Sequence, residues 1–175
     1  MKILVFGATG SQQFNVISEA KKRGAEVIAV TSSENSFEKL SQAGAIPVLA
    51  NLGDAGKMIE ITKGIDAIAF VIPASLPNPL EGLPYSKNVI DAAKANHVDK
   101  IVWNTSGWLE SEKTGSLMDD TRFDVKDYLS KSGMNYVIIE PTIYMENMMG
   151  AFCAPFVINE KKLSYQRPKI WQLVG

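Results

Sequence analysis

The chain has 175 residues, 46% hydrophobic and 21% charged, enough for one substantial core and too short for two ordinary domains. Eighteen basic residues against nineteen acidic ones leave a net charge of -1, which argues against nucleic acid or an anionic membrane surface and for a small-molecule ligand. One cysteine, Cys153, allows no internal disulfide, and the N-terminal run passes straight into a glycine turn with no cleavage site, so a cytoplasmic protein is expected.

The first expected strand is Ile3 to Phe6. It leads into Gly7-Ala8-Thr9-Gly10-Ser11-Gln12-Gln13 and then a helix whose apolar Phe14, Ile17 and Ala20 precede Gly24. A strand, two spaced glycines and a helix form a phosphate cradle. The first glycine makes the tight turn, the second lets the backbone approach a diphosphate, and the helix offers its unpaired N–H groups and positive dipole end. Gly7, Thr9, Gly10, Ser11 and Gln12 are the expected phosphate contacts. Gln13 stands where the fingerprint has a third glycine, so either the helix stands off slightly or Gln13 turns outward, and cofactor binding should be weakened without being lost.

A second strand, Val27 to Val30, ends in Thr31-Ser32-Ser33 and lacks the acidic residue that selects NAD by bonding its ribose hydroxyls. Nothing there repels a 2′-phosphate, and the hydroxyls of Thr31 and Ser32 with Lys39 nearby favour NADP over NAD. Ser33 or Ser36 is expected to cap the following helix. The third strand, Ile46 to Ala50, contains Pro47, which cannot donate to a ladder and so places it at a sheet edge.

The fourth strand, Ala67 to Ile72, runs into a segment from Pro73 to Pro84 that contains four prolines and reads as a rigid loop on the ligand-binding rim. A helix with Val89, Ile90 and Ala93 ends before His97. The fifth and sixth strands are Ile101 to Trp103 and Tyr136 to Ile139. The alternation of apolar strands with amphipathic helices predicts an α/β fold with a doubly wound parallel sheet, a Rossmann fold of strand order 3-2-1-4-5-6. Residues 1–141 would be the dinucleotide-binding domain, and residues 142–175 the start of an incomplete, truncated substrate-side lobe. The apolar stretch from Thr142 to Ile158 is broken by Glu146, Asn147, Gly150 and Pro155 and does not read as a membrane span.

The sequence resembles the NmrA-like branch of the atypical short-chain dehydrogenase/reductases over nearly its whole length. The family's glycine turn corresponds to GATGSQQ, its aspartate-leucine pair to Asn51-Leu52, and the end of its fifth strand to Asn104-Thr105-Ser106-Gly107. Its later signature corresponds to Ser132-Gly133-Met134, Glu140-Pro141 and Tyr144-Met145-Glu146-Asn147. The resemblance implies a nicotinamide near Ile72-Pro73-Ala74 and Thr105-Ser106-Gly107, with Asn51 and Leu52 at the adenine. Members generally carry further chain beyond the position of Gly175.

The wider superfamily's tyrosine-lysine pair is absent: Tyr85, Tyr128 and Tyr136 are followed four positions on by Val89, Ser132 and Glu140. The branch often relies on a lone lysine, and the resemblance puts Arg122 at that place. Arginine gives up a proton poorly but bonds ribose or an anionic substrate well. Arg122, with Lys126 one turn on and Ser106 to orient a carbonyl, are the candidate catalytic residues. Arg122 shares a helical face with Val125 and Leu129 and has Asp119 and Asp124 as candidate ion-pair partners. His97 reads as a helix-end residue and Cys153 as a buried thiol. Trp108 could wall the substrate site, and Met145, Met148, Met149 and Phe152 could line an apolar pocket. No metal site and no nucleic-acid motif is expected. Two functions remain open. One is an NAD(P)H-dependent oxidoreductase acting on a small organic substrate. The other is a non-catalytic NADP(H) sensor that passes its signal to a protein partner.

Overall fold

The computed structural model describes residues 1–73, 76, 78–142, 144, 158, 159 and 161. Residue contacts divide the chain into two units, Met1–Glu140 and Pro141–Gly175. The first unit alternates strands and helices in the order β1 (Lys2–Val5), α1 (Ser11–Lys22), β2 (Glu26–Thr31), α2 (Phe37–Gln42), β3 (Ile46–Leu49), α3 (Ala55–Ile61), β4 (Ala67–Val71), α4 (Gly82–Ala95), β5 (Lys100–Asn104), α5 (Leu117–Lys131) and β6 (Tyr136–Ile139).

All neighbouring strands run parallel, in the order β3-β2-β1-β4-β5-β6, the Rossmann arrangement the sequence predicts. β1 is central, with Ile3 beside Val27 on one side and Ala67 on the other. β3 is an edge strand, and its Pro47, beside Ala29, needs a partner on only one side.

Apolar residues at successive positions of a strand point to opposite faces, so each central strand feeds two cores. Leu4, Ile68, Phe70, Ile101 and Trp103 meet Met58 of α3, Val89, Ile90 and Ala93 of α4, and Val125 and Leu129 of α5. Across the sheet Val5, Val27 and Ala29 meet Ile17 and Ala20 of α1 and Leu40 of α2. Phe6 and Phe70 stack edge to face, their centroids 5.9 Å apart.

Three local expectations are corrected. Gln13 does not turn outward: it is buried beneath the glycine turn. The stretch from Pro73 to Pro84 is not loop throughout. Residues Pro79–Glu81 form a 3-10 turn whose first N–H groups Asn78 caps, its Oδ1 accepting from Leu80 N–H at 3.0 Å. Pro84 then lies in the first turn of α4, where its missing N–H leaves no bond unmade. Ser33 and Ser36 stand at helix starts, yet neither side chain bonds the helix N–H groups; Ser33 N–H instead donates to the Thr31 hydroxyl at 3.2 Å. His97 is exposed in the left-handed region, φ 55°, just after α4.

Trp103 is fully buried, and among the described residues its Nε1–H is the buried side-chain group without a hydrogen-bond partner. An orphaned donor costs about 1–3 kcal/mol. Trp103→Phe removes that donor along with some packing, so it should change stability by less than about 1.5 kcal/mol, whereas Ile68→Ala in the same core should cost about 2–5 kcal/mol. Urea unfolding of the two variants checks the contrast; equal losses would mean the indole N–H carries no penalty.

Candidate functional site

The turn after β1 has the backbone a phosphate cradle requires. Gly7 is left-handed, φ 67°, and a Cβ there would lie 2.6 Å from Val71 Cγ1 at the end of β4, so no larger residue fits. Gly7 carbonyl accepts from Gly10 N–H at 3.0 Å, and a Cβ on Gly10 would lie 3.3 Å from that same carbonyl. Gly10 is extended at the cap of α1 and supplies no capping side chain, and the first turn of α1 contains no acidic residue. The N–H groups and positive end of a twelve-residue helix therefore face the exposed surface of Thr9, Gly10 and Ser11. These residues fit a diphosphate.

At the end of β2, Thr31 is buried and Ser32 exposed. Lys39 on α2 lies over the ring of Phe14 in α1, its Nζ 4.6 Å from the centroid. At the end of β3, Asn51 is exposed, and its Oδ1 accepts Gly53 N–H at 2.8 Å, which leaves the side-chain N–H2 as the group it can present to a purine. Leu52 packs against the core, its carbonyl held by Asn88 Nδ2 at 2.8 Å.

A small cleft with about 50 Å³ of enclosed space, open to solvent, lies beyond the ends of β4 and β5. Ile72, Pro73, Leu76, Pro79 and Met118 make it mostly apolar, and Thr105, Ser106, Thr121 and Arg122 give it a polar end. Arg122 is 16% exposed and donates to Asp119 at 3.0 Å. Asp124 instead pairs with Lys113 at 2.7 Å. Ser106 is left-handed, φ 60°, with its N–H donated to Asn104 Oδ1 at 2.9 Å and its hydroxyl to Gln12 Oε1.

The structure thus brings Ile72, Pro73, Thr105, Ser106 and Arg122 to one cleft. Ala74, Met145, Met148, Met149, Phe152 and Cys153 lie outside the described residues. Lys126 is exposed and does not line the cleft, nor does Trp108, which is also exposed. Leu76, Pro79, Met118 and Thr121 line it without having been singled out in the sequence. Met118, Thr121, Arg122 and Val125 recur at helical spacing, and that was the available signal. Neither helical tyrosine stands at the cleft. Tyr85 donates to Glu81 at 3.1 Å and Tyr128 to Asp91 at 2.7 Å, and in each the bond to a carboxylate, aided by desolvation, holds the hydroxyl above its ordinary pKa. Among the described residues no cluster of His, Cys, Asp or Glu suits a metal ion, and no helix is long and apolar enough to cross a membrane.

With this geometry in place, comparison with known proteins is decisive for the family: the NmrA-like family matches residues 1–170. The chain belongs to the NmrA-like family. It is 26% identical to the Photosystem II assembly factor Ycf39 of Cyanophora paradoxa, covering 90% of this chain and 50% of the relative. It is 22% identical to Quinone oxidoreductase 2 of Escherichia coli, covering 85% and 51%. Among solved structures it is similar to an Escherichia coli NADPH-dependent quinone oxidoreductase complexed with NADPH, with TM-score 0.72, 23% identity, and coverage of 84% and 51%. It is also similar to the Citrobacter sp. triphenylmethane reductase complexed with NADP(H), with TM-score 0.69, 15% identity, and coverage of 83% and 51%. The chain spans about half the length of these relatives.

The Arg122–Asp119 pair is largely buried on the arginine side but reaches solvent through Asp119, so it contributes modestly to folding, about 1 kcal/mol. Arg122→Met should therefore shift the urea midpoint only slightly, like Lys126→Met. A large loss for Arg122→Met alone would show that the arginine serves the fold and not the cleft.

Proposed function

We propose that this chain is the dinucleotide-binding part of an NAD(P)H-dependent oxidoreductase that reduces small quinone-type acceptors. The observation that carries the reading is a glycine turn closed by Val71 on the same rim as an apolar cleft with Arg122 at its polar end. Backbone N–H groups of Gly7, Thr9, Gly10, Ser11 and Gln12 would hold the diphosphate, with Asn51 and Leu52 at the adenine. Thr31, Ser32 and Lys39 would face the ribose or its 2′-phosphate, which favours NADP. Ile72, Pro73, Ala74 and Thr105 would flank the nicotinamide. A bound nicotinamide supplies the hydride, and the protein orients and shields.

The choice of acceptor follows from what the cleft lacks. Among the described residues its lining includes no tyrosine or lysine to protonate a nascent alkoxide. A quinone reduced by hydride leaves a phenol-like oxygen, which ionises near pH 10 as tyrosine does. Such an anion needs only a nearby positive charge and later a proton from water. Arg122 offers the charge, and the open cleft admits the water. The name of one relative, Quinone oxidoreductase 2 of Escherichia coli, agrees with this chemistry. The sensor reading has in its favour the missing tyrosine-lysine pair and the arginine at position 122, and quinone reduction requires neither the pair nor a lysine there.

NADPH oxidation should exceed background with menadione and 1,4-benzoquinone and stay near background with simple aldehydes. Arg122→Met should cut the quinone rate by about tenfold, the 1.4 kcal/mol expected of one charge-assisted hydrogen bond. A flat response to every acceptor, with NADPH still bound, would favour the sensor.

A further inference from the structure

The turn from Asn51 to Asp54, after β3, commits its acceptors to the protein itself. Asn51 Oδ1 accepts from Gly53 N–H at 2.8 Å, and the Asn51 carbonyl accepts from Asp54 N–H at 3.0 Å. The Leu52 carbonyl is held by Asn88 Nδ2 at 2.8 Å, and Asp54 Oδ1 is turned to the start of α3, where it accepts from Lys57 N–H at 2.9 Å. Gly53 N–H can bond an oxygen and not an amino group, so it fixes which arm of the Asn51 amide faces inward. The amide is planar and its two arms diverge, so the exposed side chain turns its N–H2 toward solvent.

Helix α4 braces this arrangement from behind. Tyr85 and Asn88 stand three positions apart, on one face of the helix. Asn88 grips the Leu52 carbonyl, and the Tyr85 ring lies so near Gly53 that a Cβ there would stand 3.1 Å from its Cε1. The Tyr85 hydroxyl is in turn tied to Glu81 at 3.1 Å. A turn held in this way offers a base a donor, while its acceptors are already engaged.

Adenine and hypoxanthine differ in the group at position 6 of the purine. Adenine has an amine there, which donates, and hypoxanthine has an oxygen, which accepts; both have ring nitrogens that accept. A donor bonds the ring nitrogens of either base, or the oxygen, and has nothing to gain from the amine. We propose that the Asn51 turn does not read the exocyclic amine, so that the site takes nicotinamide dinucleotides of a 6-oxopurine as well as those of adenine. This rests on the reading of Asn51 at the base end of the dinucleotide.

The test compares NADPH with its hypoxanthine analogue, which keeps the reduced nicotinamide and its fluorescence. Dissociation constants are read by fluorescence titration of the intact chain. The wild type should bind the two within about threefold of each other, a difference below about 1 kcal/mol. Asn51→Asp keeps an oxygen for Gly53 N–H and turns a second oxygen outward, which attracts the amine and repels the 6-oxygen. It should shift the ratio toward NADPH by about tenfold, or about 1.4 kcal/mol, even while its charge weakens both nucleotides. Asn51→Ala removes the donor without adding an acceptor, so it should weaken both nucleotides and leave the ratio as it is in the wild type.

A wild type that prefers NADPH by about tenfold or more overturns the proposal while the cofactor reading stands. An Asn51→Asp ratio equal to that of the wild type overturns it as well, since the base would then lie elsewhere. If neither nucleotide binds the wild type, the cofactor reading fails and this proposal with it.

Discussion

The arrangement of the rim depends on one close approach: the backbone of Gly7 against Val71. The end of β1 and the end of β4 are neighbours in the sheet, and the chain leaving β1 must turn at once to bring α1 back over the opposite face. The turn is left-handed at Gly7 and passes so near Val71 that a methyl group would collide with it. From that constraint follow the direction of α1, the outward aim of its uncapped N–H groups, and the burial of Gln13 under the turn. The turn therefore offers an anion backbone donors that no side chain occupies.

The second half of the rim is built differently. There the strand ends of β4 and β5 carry side chains that line a cleft, and α5 lays Met118, Thr121 and Arg122 along one wall. Most of the wall is apolar, which suits a flat hydrophobic ligand, and the charge is confined to one end. The charge at this end is the guanidinium of Arg122. A guanidinium keeps its protons and fixes their directions, so it suits a site that stabilises a developing anion more than one that must protonate it.

Much of this was legible in the sequence, for identifiable reasons. Strands buried on both faces must be apolar throughout, so β1, β4 and β5 stood out, and Pro47 marked β3 as an edge because of a missing donor. The glycine turn was legible because only glycine satisfies its backbone. The remainder depends on contacts between distant positions. No spacing rule brings Gln12 to Ser106, or chooses Asp119 over Asp124 for Arg122 before the path of the loop carrying Lys113 is known. The helical start at Asn78-Pro79 was readable as a cap followed by proline, but the density of prolines around it suggested a loop instead. Gln13 was misjudged in one of its two readings because a polar side chain under a glycine turn has no local sequence signature.

The central claim is that the Gly7–Gln12 turn binds a nicotinamide dinucleotide although Gln13 replaces the third glycine of the fingerprint. Isothermal titration of the intact chain with NADPH tests it most directly. The account predicts one site per chain with a dissociation constant well below millimolar, lost when Gly7 is replaced by valine in a variant that still folds. A dissociation constant in the millimolar range, or no heat of binding at all, would contradict it and leave the Rossmann sheet as architecture without the ligand.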